Sequence, residues 1–200
     1  TVLYPFCDAF VFQTKQAQEY FCKPIQKRSC IIHNPISKVA VEQAVGGDKK
    51  GFEIVSVGRL EPQKNFALLI NSFKQFHDKF RDSTLTIYGE GHLREELENQ
   101  IQSLSLEGVV TLPGNQKNVI ELISNKSVFV LSSDYEGMSN ALMEAMAVGL
   151  PCISTDCPIG GSAELIQDHI NGLLVSVGNS EELLQAMTEL YEDYKLRNKL

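Results

Sequence analysis

Four charged side chains stand where this sequence could do chemistry. Glu136 and Glu144 lie eight positions apart in SSDYEGMSNALMEAMAVGLP (132–151), and Arg59 and Lys64 lie five apart in GRLEPQK (58–64). From Asn140 to Val148 the helical pattern is apolar on nearly every face, yet Glu144 stands in its middle. An unpaired carboxylate in an apolar interior costs several kcal/mol or takes up a proton. Such a residue therefore calls for a partner, and a carboxylate can accept hydrogen bonds from two vicinal hydroxyls. Ser139 suits the N-cap of this helix, and a helix N-terminus offers unpaired N–H groups and partial positive charge to a phosphate. Arg59 and Lys64 would add two fixed cations for a diphosphate. Most lysines and arginines are solvated surface charges; the position of these two just after a strand favours binding.

The elements that must position these residues follow one rhythm. FEIVSVG (52–58) leads into NFALLINSFKQFHDKF, LTIYG (85–89) into HLREELENQIQSL, and VVTLPG (109–114) into NVIELISN. SVFVLSS (127–133) leads into NALMEAMAV, PCISTD (151–156) into AELIQDH, and GLLVSV (172–177) into EELLQAMTELYEDY. Short apolar strands alternating with helices predict βαβ units, a parallel sheet and an α/β, doubly wound, Rossmann-like fold with its ligand at the carboxyl ends of the strands. Those ends gather Gly58, Arg59 and Lys64, then Gly89 to Gly91, Pro113 and Gly114, Asp134 to Asn140, and Thr155 to Gly161. Phosphates at a helix N-terminus with hydroxyls near two separate acids describe a nucleotide sugar.

The first fifty residues read differently. DAFVFQTKQAQEYF predicts a strand and a helix, RSCIIHNPIS a short strand ending in a turn, and VEQAVGGDKKG a linker. Residues 1–45 are expected to be the tail of a preceding domain, too little to form a sheet of its own, lying against the rest or mobile; residues 46–200 are expected to be the ligand-binding domain. The chain reads as a fragment.

SVGRLEPQKN, LTIYGEGHLREELE, VFVLSSDYEGMSNALMEAMAVGLPCISTD and GGSAELI…NGLLV together resemble the donor-binding half of retaining GT-B glycosyltransferases of the group 1 (GT4-like) family, over roughly residues 50 to 190. Glu136 and Glu144 match that family's E-x7-E motif. The resemblance implies Arg59 and Lys64 on the donor diphosphate, with Gly58 beside them, Glu144 on the ribose and Glu136 on the donor hexose. It implies backbone N–H groups of Gly137, Met138, Ser139 and Asn140 around sugar and phosphate, and a base-contacting stretch at Leu112, Pro113 and Gly114. The N-terminal residues resemble the end of the acceptor domain plus the crossover, with IIHNPIS replacing an Asn-Gly turn. The implied activity is transfer of a hexose-type sugar from a nucleotide diphosphate sugar to a glycan or lipid-linked acceptor, in polysaccharide or lipopolysaccharide synthesis. The acceptor, and any peripheral membrane association, would be held by the missing domain, so this chain alone is not expected to transfer sugar. Arg59, Lys64 and Glu136 would carry the catalytic roles, with Glu136 orienting the hexose rather than acting as a nucleophile. The absence of a DxD motif fits chemistry without a metal, and no cofactor is implied.

Other signals are weighed against plainer readings. GEGHLR (89–94) has Arg94 where a dinucleotide fingerprint needs its third glycine, so a tight strand-to-helix turn is expected. DCPIGGS (156–162) is either an ordinary turn or a lip of the donor pocket. His33, His77, His92 and His169 are scattered, with His77 expected on a surface and none close in sequence to an orienting carboxylate. Five cysteines without a CxxC pair suggest reduced, mostly buried thiols and no zinc site. A net charge of −7 argues against nucleic acid, no apolar run has the length of a membrane span, and the first residues lack a signal-peptide pattern. The expected location is cytoplasmic, including the inner face of the cell membrane. Competing functions are a nucleotide-sugar epimerase or hydrolase of the same architecture, a glycan phosphorylase, which would carry pyridoxal phosphate, and a non-catalytic donor-binding module. Product analysis separates the first of these from a transferase.

Overall fold

The computed structural model describes residues 4–36 and 51–200. The chain first runs through strand β1 (Phe10–Phe12), helices α1 (Lys15–Glu19) and α2 (Lys23–Gln26), and strand β2 (Ser29–Ile31). β1 and β2 pair in parallel, so this stretch does form a small sheet, contrary to expectation. The two short helices supply the crossover that a parallel pair requires. The linker read at residues 41–51, and the boundary set at 45/46, lie outside the described residues apart from Gly51.

The main sheet is wholly parallel and has six strands: β3 (Phe52–Val57), β4 (Ser83–Tyr88), β5 (Val110–Gly114), β6 (Val128–Leu131), β7 (Cys152–Thr155) and β8 (Leu173–Val175). Their spatial order is β5-β4-β3-β6-β7-β8, so the winding reverses between β3 and β6. α3 (Phe66–Lys79), α4 (Arg94–Ser103), α5 (Val119–Ser124), α6 (Asn140–Ala147), α7 (Gly161–Leu165) and α8 (Ser180–Glu192) follow the strands in turn, and α9 (Tyr194–Lys199) ends the chain.

The strands read as continuous apolar runs because both faces are covered. Side chains alternate across the sheet: Ile54, Val128 and Val130 pack with α3 and α8 through Phe73, Phe76 and Met187, while Val55, Phe129 and Leu131 pack on the other face with Ile123 of α5 and Leu142 and Ala145 of α6. His77 is 8% exposed rather than on a surface; it stacks on Phe73 and lies 3.0 Å from Ser83 Oγ through Nδ1. Only Cys152 and Cys157 of the five cysteines are buried, and burial pushes both thiols up. α7 begins two residues earlier than the AELIQDH pattern suggests and stops at Leu165, because Ile166 is extended. Among the described residues no helix is long and apolar enough to cross a membrane.

Candidate functional site

At the winding reversal, the loops after β3 and β6 are laced together. Gln63 O accepts from Asp134 N–H at 2.9 Å, Tyr135 O accepts from the Gln63 amide at 2.8 Å, and Lys64 O accepts from Ser132 Oγ at 2.8 Å. Asn65 adopts a left-handed conformation, caps α3 by accepting from Leu68 N–H, and donates to Asp134 Oδ1 at 2.7 Å. These bonds bring Gly58, Arg59 and Lys64 together with Glu136 and the start of α6.

Lys64 and Glu136 form an ion pair, with side chains only 12% and 16% exposed. Ser133 Oγ lies 3.4 Å from the same carboxylate oxygen. Arg59 is exposed, and its guanidinium has no partner among the described residues. Ser139 caps α6, accepting from Leu142 N–H at 3.4 Å. Glu144 lies on α6 between buried Met143 and Ala145 but is itself half-buried. Burial pushes its pKa above the usual carboxylate value, and no side-chain partner for it stands among the described residues. The carboxylate flanked by apolar residues in the sequence thus lies at the rim of the core rather than inside it.

The other expected residues lie on the opposite flank of the cleft. Leu112, Pro113 and Gly114 end β5, where Leu112 O accepts from Arg94 and Pro113 O from Gln116. Gly114 O accepts from Gly89 N–H at 3.1 Å, and Gly114 itself has φ +80°. GEGHLR is the expected tight turn. A Cβ on Gly89 would overlap Gly58 O and one on Gly91 would overlap Leu60 O, so glycines let the loops after β3 and β4 run in contact.

DCPIGGS forms one wall of the site. Pro158 O accepts from Glu136 N–H at 3.3 Å, and a Cβ on Gly161 would overlap Gly137 O. Between this loop and α1 opens a groove of about 640 Å³, lined by Gln16, Tyr20, Phe21, Asp156, Cys157 and Pro158 among others.

Two residues that reach these loops gave no sequence signal. Asn34 donates to Asn140 Oδ1 at 2.9 Å, and the Gln13 amide donates to Asn34 Oδ1 at 2.6 Å. Glu164 accepts from Lys15 N–H and pairs with His33 Nε2 at 3.1 Å. The N-terminal unit therefore lies against the main domain. Their partners stand more than a hundred positions away in the chain, so local pattern carries no trace of them. His169 does have a neighbouring carboxylate, contrary to the sequence reading. Its Nδ1 lies 2.9 Å from Asp168, whose hydrogen bond raises the histidine pKa, and Glu189 is 3.4 Å from Nε2. This histidine precedes β8 and so lies at the amino edge of the sheet, away from the cleft.

A half-domain of parallel strands wound in both directions, with its cleft at the reversal, is the Rossmann-like half of a GT-B architecture. The family described as glycosyl transferases group 1 matches residues 40–200, and the chain belongs to it. A Campylobacter jejuni N-acetylgalactosamine-N,N'-diacetylbacillosaminyl-diphospho-undecaprenol 4-alpha-N-acetylgalactosaminyltransferase is 35% identical over 98% of this chain and 54% of its own length. The solved structure of S. aureus TarM superposes with a TM-score of 0.88 at 21% identity, over 98% of this chain and 39% of that one, and supports the fold alone. The pneumococcal O-GlcNAc transferase GtfA, solved in complex with UDP and GlcNAc, superposes with a TM-score of 0.81 at 26% identity, over 96% of this chain and 40% of that one. The chain spans about half the length of the curated relatives it matches.

Proposed function

We propose that this chain is the donor-binding side of a retaining glycosyltransferase that takes a hexose-type sugar from a nucleoside diphosphate and passes it to a glycan or lipid-linked acceptor. The observation that carries the reading is the meeting of Arg59, Lys64, Glu136 and the capped N-terminus of α6 at the winding reversal. As the glycosidic bond breaks, negative charge grows on the departing diphosphate. Arg59, Lys64 and the N–H groups of Gly137 to Asn140 stabilise that charge, and preorganised donors in a partly water-excluded cleft do this effectively. Glu144 accepts from the ribose hydroxyls, Glu136 holds the hexose, and Leu112 to Gly114 border the base. The acceptor belongs to a domain formed with residues 1–45, facing the cleft, and peripheral contact with the inner face of a membrane would come from that side.

The relative solved with UDP makes uridine the first base to try. The test is a melting panel of UDP, GDP, ADP and their sugar conjugates. Ligand at about a hundred times its Kd stabilises a fold by about 2.7 kcal/mol, so one nucleotide series should raise Tm clearly, and Arg59→Ala should diminish the rise. A panel in which no nucleotide shifts Tm would overturn the proposal.

A further inference from the structure

Both acidic and basic members of the site are spoken for in the ligand-free protein, and this has a consequence for which ligand it prefers. Resting on the function proposed above, we propose that Glu136 is the specificity-determining residue that separates the sugar-bearing donor from the bare nucleoside diphosphate, because it holds Lys64 until sugar hydroxyls engage its carboxylate.

The argument begins with the pair itself. Lys64 and Glu136 are mostly shielded from water, so their attraction is weakly screened. Their backbones are fixed. Lys64 N–H donates to Glu61 O at 3.0 Å and Lys64 O accepts from Ser132, while Glu136 N–H is bound by Pro158 O. Gly137 is pressed against Gly161, where a side chain would not fit. Only the ends of the two side chains are free to change partners. Arg59, exposed and without a partner among the described residues, is open to a diphosphate from the start.

A bare diphosphate therefore meets one open cation, one occupied cation and a carboxylate that repels it. To gain Lys64 it must leave Glu136 without its counter-charge in a partly buried position, which is unfavourable. A nucleotide sugar brings replacement donors. Its hydroxyls donate to Glu136, Ser133 remains beside the same oxygen, and Lys64 turns to the phosphates. After transfer the sugar is gone, Glu136 recovers Lys64, and the grip on the remaining diphosphate loosens. The same exchange thus favours donor entry and product departure.

The test is calorimetric titration of UDP, UDP-glucose and UDP-N-acetylglucosamine into wild type, Glu136→Gln, Lys64→Gln and the double variant, with a melting curve for each. Glu136→Gln should bind UDP roughly tenfold more tightly, equivalent to about 1.4 kcal/mol, while the tighter of the two sugar nucleotides binds no better or worse. In the Lys64→Gln background the same change should lose most of that gain. Glu136→Asp, which keeps the charge, should stay close to wild type for UDP. A merely structural role would weaken all ligands together and cannot tighten one of them. Unchanged or weaker UDP binding in a folded Glu136→Gln would overturn the inference and leave the proposed function standing; a wild type that binds none of the three would overturn both.

Discussion

Glu144 combines two facts that pull in opposite directions. Burial raises its pKa, so the ionised form costs the ligand-free fold some stability. The sign follows from linkage: a carboxyl whose folded pKa is raised weakens the fold as pH climbs from the unfolded to the folded value, and the cost stays constant above it. Glu144→Gln should therefore hold or slightly raise the Tm of the ligand-free protein at neutral pH. The same change should weaken UDP, since charge-assisted bonds are worth about 1.5–3 kcal/mol each, which converts to roughly tenfold or more in Kd. Wild-type affinity should also fall as pH drops through the raised pKa, because a protonated carboxyl accepts poorly. Melting and titration between neutral and mildly acidic pH check both; a lower Tm with intact affinity would make Glu144 a structural acid. The sequence showed that this carboxylate was out of place among apolar neighbours. It did not show that the residue sits at the rim of the core, because burial depends on what the rest of the fold packs against α6. The Lys64–Glu136 pair was equally hidden: both residues were expected to face a ligand, and their meeting depends on contacts across 72 positions.

Among the elements, the loops rather than the helices set the cleft's dimensions. Gly161, at the start of α7, lets the loop after β7 rest on the backbone of Gly137. Gly161→Ala would put a methyl group into that carbonyl, and overpacking of this kind costs about 1–3 kcal/mol or more. The expected outcome is a lower Tm together with a larger loss of UDP binding than Glu144→Gln causes, because Glu136, Gly137 and α6 shift as one. Unchanged binding in a stable Gly161→Ala would mean that the two loops do not depend on each other. The strand and helix rhythm was legible throughout residues 52–192, since six apolar runs alternate with amphipathic ones. The β1·β2 pair was not, because three-residue strands leave no period to read. The depth of His77 escaped for a related reason: a histidine on an amphipathic helix reads as polar until Ser83 is found beside it.

At the scale of the whole molecule, the fold places one end of a parallel sheet open to a ligand and packs a second, partial unit beside it. Thr14 Oγ donates to Ile159 O, Glu164 takes Lys15 and His33, and Asn34 reaches the first residue of α6. The account's central claim concerns that open end: two cations and a helix N-terminus suffice for a nucleoside diphosphate, with no metal required. The most direct test is calorimetric titration of UDP into the protein in chelator and again in excess Mg²⁺. The account predicts one site per chain with the same affinity in both buffers, and loss of binding in Arg59→Ala. Binding that appears only with Mg²⁺, or binding that Arg59→Ala leaves intact, would contradict it.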